Sequence, residues 1–150
     1  MSTDAKVTKQ VMQTLADGRE GFEKGATKLD ESNAPELAGQ FRMYGNQRDE
    51  FYRELEVMAR NYGDNIEDSG SAVGALHRGW MTVKDALAGS DPDGVLDAAE
   101  QGEDHAMKVY QEALEDPDVS TPLRTVLQRQ ASKVRAAHDS VRDLRNGFQN

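Results

Sequence analysis

Residues 98–110, AAEQGEDHAMKVY, place Glu100, Glu103, Asp104, His105 and Tyr110 in one run that reads as helix. Carboxylates and imidazoles that converge inside a helical bundle are the ligand chemistry of di-iron and di-manganese proteins. Such sites take glutamates and Glu-x-x-His pairs projecting inward from four helices. The candidate ligands here are Glu103, Glu100, His138, and Glu50 or Glu54, which flank Phe51. Glu20 and Glu23, beside Phe22, are weaker candidates that a solvated surface explains as well. A competing chemistry uses the same carboxylate. Arg48 is an obligate cation on a core-facing position, and Gln130 and Tyr110 would complete its hydrogen bonding with Glu103. A bare buried charge costs several kcal/mol, so Glu103 needs one partner or the other. The chain contains no Glu-x-x-His, so the ion-pair network is the expected state and no cofactor is required. Iron or manganese is the alternative.

The helices that would carry these residues follow from apolar steps of three and four. Val7, Val11, Leu15, Phe22 and Leu29 form the first stripe. Asn33, as a cap, and Pro35, in a first turn, open a second helix. Its face runs Leu37, Phe41, Tyr44, Arg48, Phe51, Leu55, Met58 and Tyr62, and it ends at Gly63. A shorter helix follows the loop DNIEDSGS and carries Val73, Leu76, Trp80, Val83 and Leu87. Asp91 and Pro92 start the next long helix, with Leu96, Ala99, Glu103, Ala106, Tyr110 and Ala113 inward. Thr121 as cap and Pro122 start the last, with Leu123, Leu127, Gln130, Val134, Ala137, Val141, Leu144 and Phe148. On this phase Glu103 points inward, Glu100 lies beside the inner face, and Asp104 and His105 point mostly out. Four long helices with short intra-pair loops predict an all-α antiparallel four-helix bundle, the short helix crossing between the two hairpins.

Composition narrows the function classes. The 150 residues suit one domain with one core, and no linker or low-complexity tract divides it. Acids outnumber bases 27 to 18, a net charge of −9, which argues against a nucleic-acid partner. Cysteine is absent, so thiolate catalysis, disulfides and zinc–cysteine sites are excluded. No stretch approaches the roughly 20 apolar residues of a membrane span, and the N-terminus lacks a signal core. A cytoplasmic protein without membrane contact is expected, with a second copy or another protein as its partner. His77 and Trp80 read first as a structural hydrogen bonder and a helix anchor. A small-molecule site between the short helix and the bundle is the sharper alternative. Gly18, Gly21 and Gly25 cost helix stability, about 1 kcal/mol each against alanine, and suit close approach by a neighbour. Arg142 and Arg145 suit the negative end of the last helix dipole.

The motifs DGREGF (17–22), PEL (35–37), DSGS (68–71), GALHRGW (74–80, with His77, Arg78 and Trp80), AEQGED (99–104) with Tyr110, RQ (129–130) and AHDSVRDLR (137–145) span nearly the whole chain. Together they resemble a bacterial family of unknown function in the ferritin-like superfamily. The resemblance implies a ferritin-like bundle with an extra crossing helix. It also implies relatives that bind two irons or manganese ions at the bundle centre, and the superfamily suggests stress response. The Glu103-to-Tyr110 spacing is similar to the Glu-x6-Tyr of rubrerythrin-type helices. The paired Glu-x-x-His elements of those enzymes are missing, and Thr27 stands where members of the resembled family carry glutamate. The resemblance would set Arg48 close to where active relatives hold metal. The expectation is therefore a non-catalytic or vestigial bundle, with a di-metal oxidase, peroxidase or metal-storage protein as the alternative.

Overall fold

A computed structural model describes residues 2–62 and 91–149, the side chains of 148 and 149 excepted. It contains four long helices: α1 (Thr3–Glu31), α2 (Pro35–Ala59), α3 (Pro92–Glu115) and α4 (Thr121–Gln149). A single 3-10 turn, Arg60–Tyr62, ends α2. No strand occurs among the described residues. The expected short helix, with His77, Arg78 and Trp80, lies outside them.

Local chemistry sets the helix ends. Ser2 accepts from the Ala5 amide through its hydroxyl and opens α1. Asp91 does the same for α3 by accepting from the Gly94 amide, with Pro92 in the first turn, as its sequence predicts. Asn33 does not cap α2. It takes φ of 60°, while the Ala34 amide donates to the Leu29 carbonyl and the Asn33 amide to that of Asp30. That is a Schellman closure of α1, in which asparagine supplies the left-handed residue. Ala34 precedes α2 without a side-chain cap. At α4 the Ser120 carbonyl accepts the first helical bond, from Arg124, so the cap falls one residue before Thr121. Arg124 also donates to the Leu114 and Asp116 carbonyls, covering the open end of α3.

The helices pack as two hairpins, α1–α2 and α3–α4, with α1 also lying along α3. Two apolar clusters show how they run. One joins the N-terminal parts of α1 and α4 to the C-terminal parts of α2 and α3, from Val7 and Val11 to Leu55, Val109 and Leu123. The other joins Phe22 and Leu29 of α1, Phe41 of α2, Val95 and Leu96 of α3 and Val141 of α4. So α2 and α3 run parallel across a diagonal, and α1 and α4 run opposite to them. The end of α2 and the start of α3 lie at opposite ends of the bundle. Gly25 shows how tightly one cluster closes: a Cβ there would stand 2.8 Å from a ring carbon of Phe41. At Gly18 it would meet only the Arg48 side chain, Cγ at 3.6 Å and Cδ at 4.0 Å, ordinary contacts. Close approach is thus required at Gly25 and not at Gly18. None of the described helices is long and apolar enough to cross a membrane.

Candidate functional site

A polar layer occupies the middle of the bundle, between the two apolar clusters. Arg48 sits halfway along α2 and Glu103 halfway along α3, on stripes otherwise filled by Phe41, Phe51, Ala99 and Ala106. Their side chains cross the diagonal and meet. Arg48 Nη1 donates to Glu103 Oε1 at 2.7 Å, and Nη2 to Oε2 at 2.6 Å. Both side chains are buried, 1% and 0% exposed. This is the fork-to-fork geometry that suits guanidinium and carboxylate. The Phe22 ring lies under the guanidinium, 5.4 Å from ring centre to Cζ, and adds a cation–π contact. Arg48 Nε is buried without a hydrogen-bond partner among the described residues. Burial pushes the Glu103 carboxyl up to about 7, and Arg48 opposes the shift without cancelling it.

Gln130 and Tyr110 are also buried, 0% and 1% exposed, but they do not complete this pair. Tyr110 Oη donates to Gln130 Oε1 at 2.8 Å, and Gln130 Nε2 donates to Glu54 Oε1 at 2.8 Å. Glu54 also pairs with Arg129 at the surface, and that contact holds its carboxyl below the ordinary range. The result is a second polar arrangement, displaced from the ion pair toward the C-terminal end of α3. Burial raises the Tyr110 phenol well above its usual value, so it serves as a hydrogen-bond donor and not as a base.

The remaining candidate ligands are engaged separately. His138 is mostly buried and turns toward the rim. Its Nε2 lies 2.6 Å from Asp104 and its Nδ1 3.1 Å from Asp139. Glu100 lies 2.8 Å from Arg145 Nε, and Arg145 also donates to Asp97 at 2.6 Å. Arg145 therefore ties α4 to α3 across the helix interface, a role that the dipole alone did not suggest. Glu50 is exposed. Glu20 pairs with Lys24, and Glu23 lies 3.8 Å from Arg19, both at the surface. Thr27 is exposed and donates to the Glu23 carbonyl, so its position does not face the layer. The sequence reading missed the buried Thr8, Thr14 and Asp17 of α1. Their signal is the breadth of the face: α1 packs on two helices, so its buried arc exceeds one stripe.

Two metal ions would need several oxygens and imidazoles open toward one point. Here both Glu103 oxygens are held by a permanent cation, and Glu54, Glu100 and His138 have different partners. No group of three metal-ligating side chains converges among the described residues. The donors of the described residues do not fit a two-metal centre.

The family model described as a domain of unknown function (DUF2383) matches residues 5–116, about three quarters of the chain, and the chain belongs to that family. A search of curated proteins finds no match.

Proposed function

We propose that this chain is a non-catalytic ferritin-like bundle in which an ion pair holds the place that metal takes in active relatives. It would then work as a structural or interaction protein. The observation that carries the reading is the Arg48 guanidinium on both oxygens of Glu103 at the bundle centre. Arginine stays protonated at any working pH, so it repels a divalent cation from the one fully buried carboxylate among the described residues. The helix order supports the ferritin-like assignment: two hairpins, α2 parallel to α3, with the end of α2 and the start of α3 at opposite ends of the bundle. The alternative, an iron or manganese carboxylate protein with oxidase, peroxidase or storage activity, requires Glu103 to leave Arg48 and His138 to leave Asp104.

Elemental analysis by mass spectrometry decides between them, on protein purified without a metal-affinity step. The expected result is no stoichiometric iron or manganese. One or two equivalents of either per chain would overturn the proposal and make an oxidase assay the next step.

A further inference from the structure

The side of α2 that points away from Arg48 carries a pattern of its own. Glu36, Met43, Glu50 and Val57 recur every seven residues, and Gly39, Asn46, Arg53 and Arg60 follow each of them by three. All eight are exposed, and helical geometry puts them on one side. That is the a/d spacing of a coiled-coil seam, turned to the outside of the bundle. Met43 and Val57, 67% and 58% exposed, are the large hydrophobic side chains left open among the described residues, and both stand on this seam.

The two halves of the seam differ in shape and in charge. The N-terminal half is concave: Glu36, Gly39 and Met43 line a groove of about 980 Å³, with Leu144 of α4 on its other wall. A Cβ at Gly39 would meet nothing within 4 Å. Glycine in a helix costs about 1 kcal/mol against alanine, and no close neighbour among the described residues requires it here. The C-terminal half carries the outstanding Val57 and two cations, Arg53 and Arg60. The acids of the seam, Glu36 and Glu50, come before both of them.

We propose that this seam binds a second copy of the chain, α2 against α2 and antiparallel, about a twofold axis level with residue 48. That alignment sets Glu36 beside Arg60 of the second copy and brings its Val57 into the groove over Gly39. Met43 then lies under the aliphatic stem of Arg53, and Asn46 meets Glu50, each contact being made twice. A parallel pairing would instead set every charge of the seam against its own copy. The seam is about 36 Å long at 1.5 Å per residue and about 10 Å wide. On the order of 360 Å² per copy is less than half the roughly 800 Å² of a stable complex, so monomer and dimer exchange with concentration. The pairing supplies a partner for the interaction role proposed above. Arg48 faces the opposite way, so the pairing does not depend on the metal content of the bundle centre.

Sedimentation equilibrium over about a hundredfold range of concentration, reaching about 1 mM, should show the mass rising from 16.6 kDa toward twice that value. Glu36→Arg and Arg60→Glu each set like charges together at two places and should weaken the dimer roughly tenfold. The two changes combined in one chain restore opposite charges and should restore the dimer. Gly39→Phe fills the groove that Val57 would enter, so it should abolish self-association. All three positions are exposed, and circular dichroism should show the helix content of each variant unchanged. A protein that stays monomeric at about 1 mM would overturn the proposal and leave the seam to solvent or to another protein. Growth beyond the dimer would overturn it as well, because a closed twofold contact stops at two. So would a dimer that Gly39→Phe and both charge reversals leave unchanged, since the contact would then lie elsewhere.

Discussion

Replacing Arg48 by methionine keeps most of the side-chain length and removes the charge. Glu103 then has two options in the folded protein, and both are costly. Left ionised, it is a buried carboxylate without a partner, which costs roughly 3–5 kcal/mol. Protonated, it binds a proton that the unfolded chain at neutral pH does not hold. Burial already lifts Glu103 from 4.5 to about 7 with Arg48 in place. Without Arg48, the main group that lowers it, the value rises further. The folded acid then has the higher pKa, so its contribution is full below 4.5 and is lost as pH rises toward the folded value. Wild-type stability should therefore stop falling on account of Glu103 near pH 7. The Arg48→Met protein should go on losing about 1.4 kcal/mol per unit from pH 7 to pH 8. Urea unfolding followed by circular dichroism at pH 5, 7 and 8 measures this directly. The expected difference from wild type is about 3–5 kcal/mol at pH 8 and smaller at pH 5. Adding Glu103→Leu should restore most of it, since no buried charge remains. A loss under about 1 kcal/mol, the value of an exposed pair, or a loss that ignores pH, would refute the reasoning.

Three further outcomes follow from single contacts. Tyr110→Phe leaves Gln130 Oε1 buried without its donor at 2.8 Å and should cost about 1–3 kcal/mol by chemical denaturation; an unchanged midpoint would mean that water replaces the phenol. Gly18→Ala and Gly25→Ala should move the melting temperature in opposite directions. The first gains up to about 1 kcal/mol of helix propensity with room for the methyl, whereas the second drives a Cβ into Phe41; equal shifts would contradict the packing. Arg124→Ala uncovers the Leu114 and Asp116 carbonyls and should destabilise by about 1 kcal/mol. Amide exchange should quicken around the α3–α4 turn and remain unchanged at the far end of the bundle.

The helices were legible because burial on one face imposes a period, and a polar residue on that period stands out as an exception. Arg48, Glu103 and Gln130 interrupt apolar stripes, and all three are buried to 1% exposure or less. Which of them meet is a different kind of question, because it depends on axial level as well as on facing. Arg48 and Glu103 sit near the middle of their helices, so they share a level whether α2 and α3 run parallel or opposed. Glu54 and Tyr110 lie 19 and 18 residues from their helix starts, a common level only if the helices run parallel. Hairpin periodicity carries no information on that direction, since α2 and α3 are separated by residues 63–90. The sequence therefore supports the central pair under either topology, while the grouping of Tyr110, Gln130 and Glu54 becomes visible only once the direction is known. The same limit explains His138, whose ring turns to Asp104 at the rim: the phase of α4 places it beside the core, and only the neighbouring helix decides which way it faces.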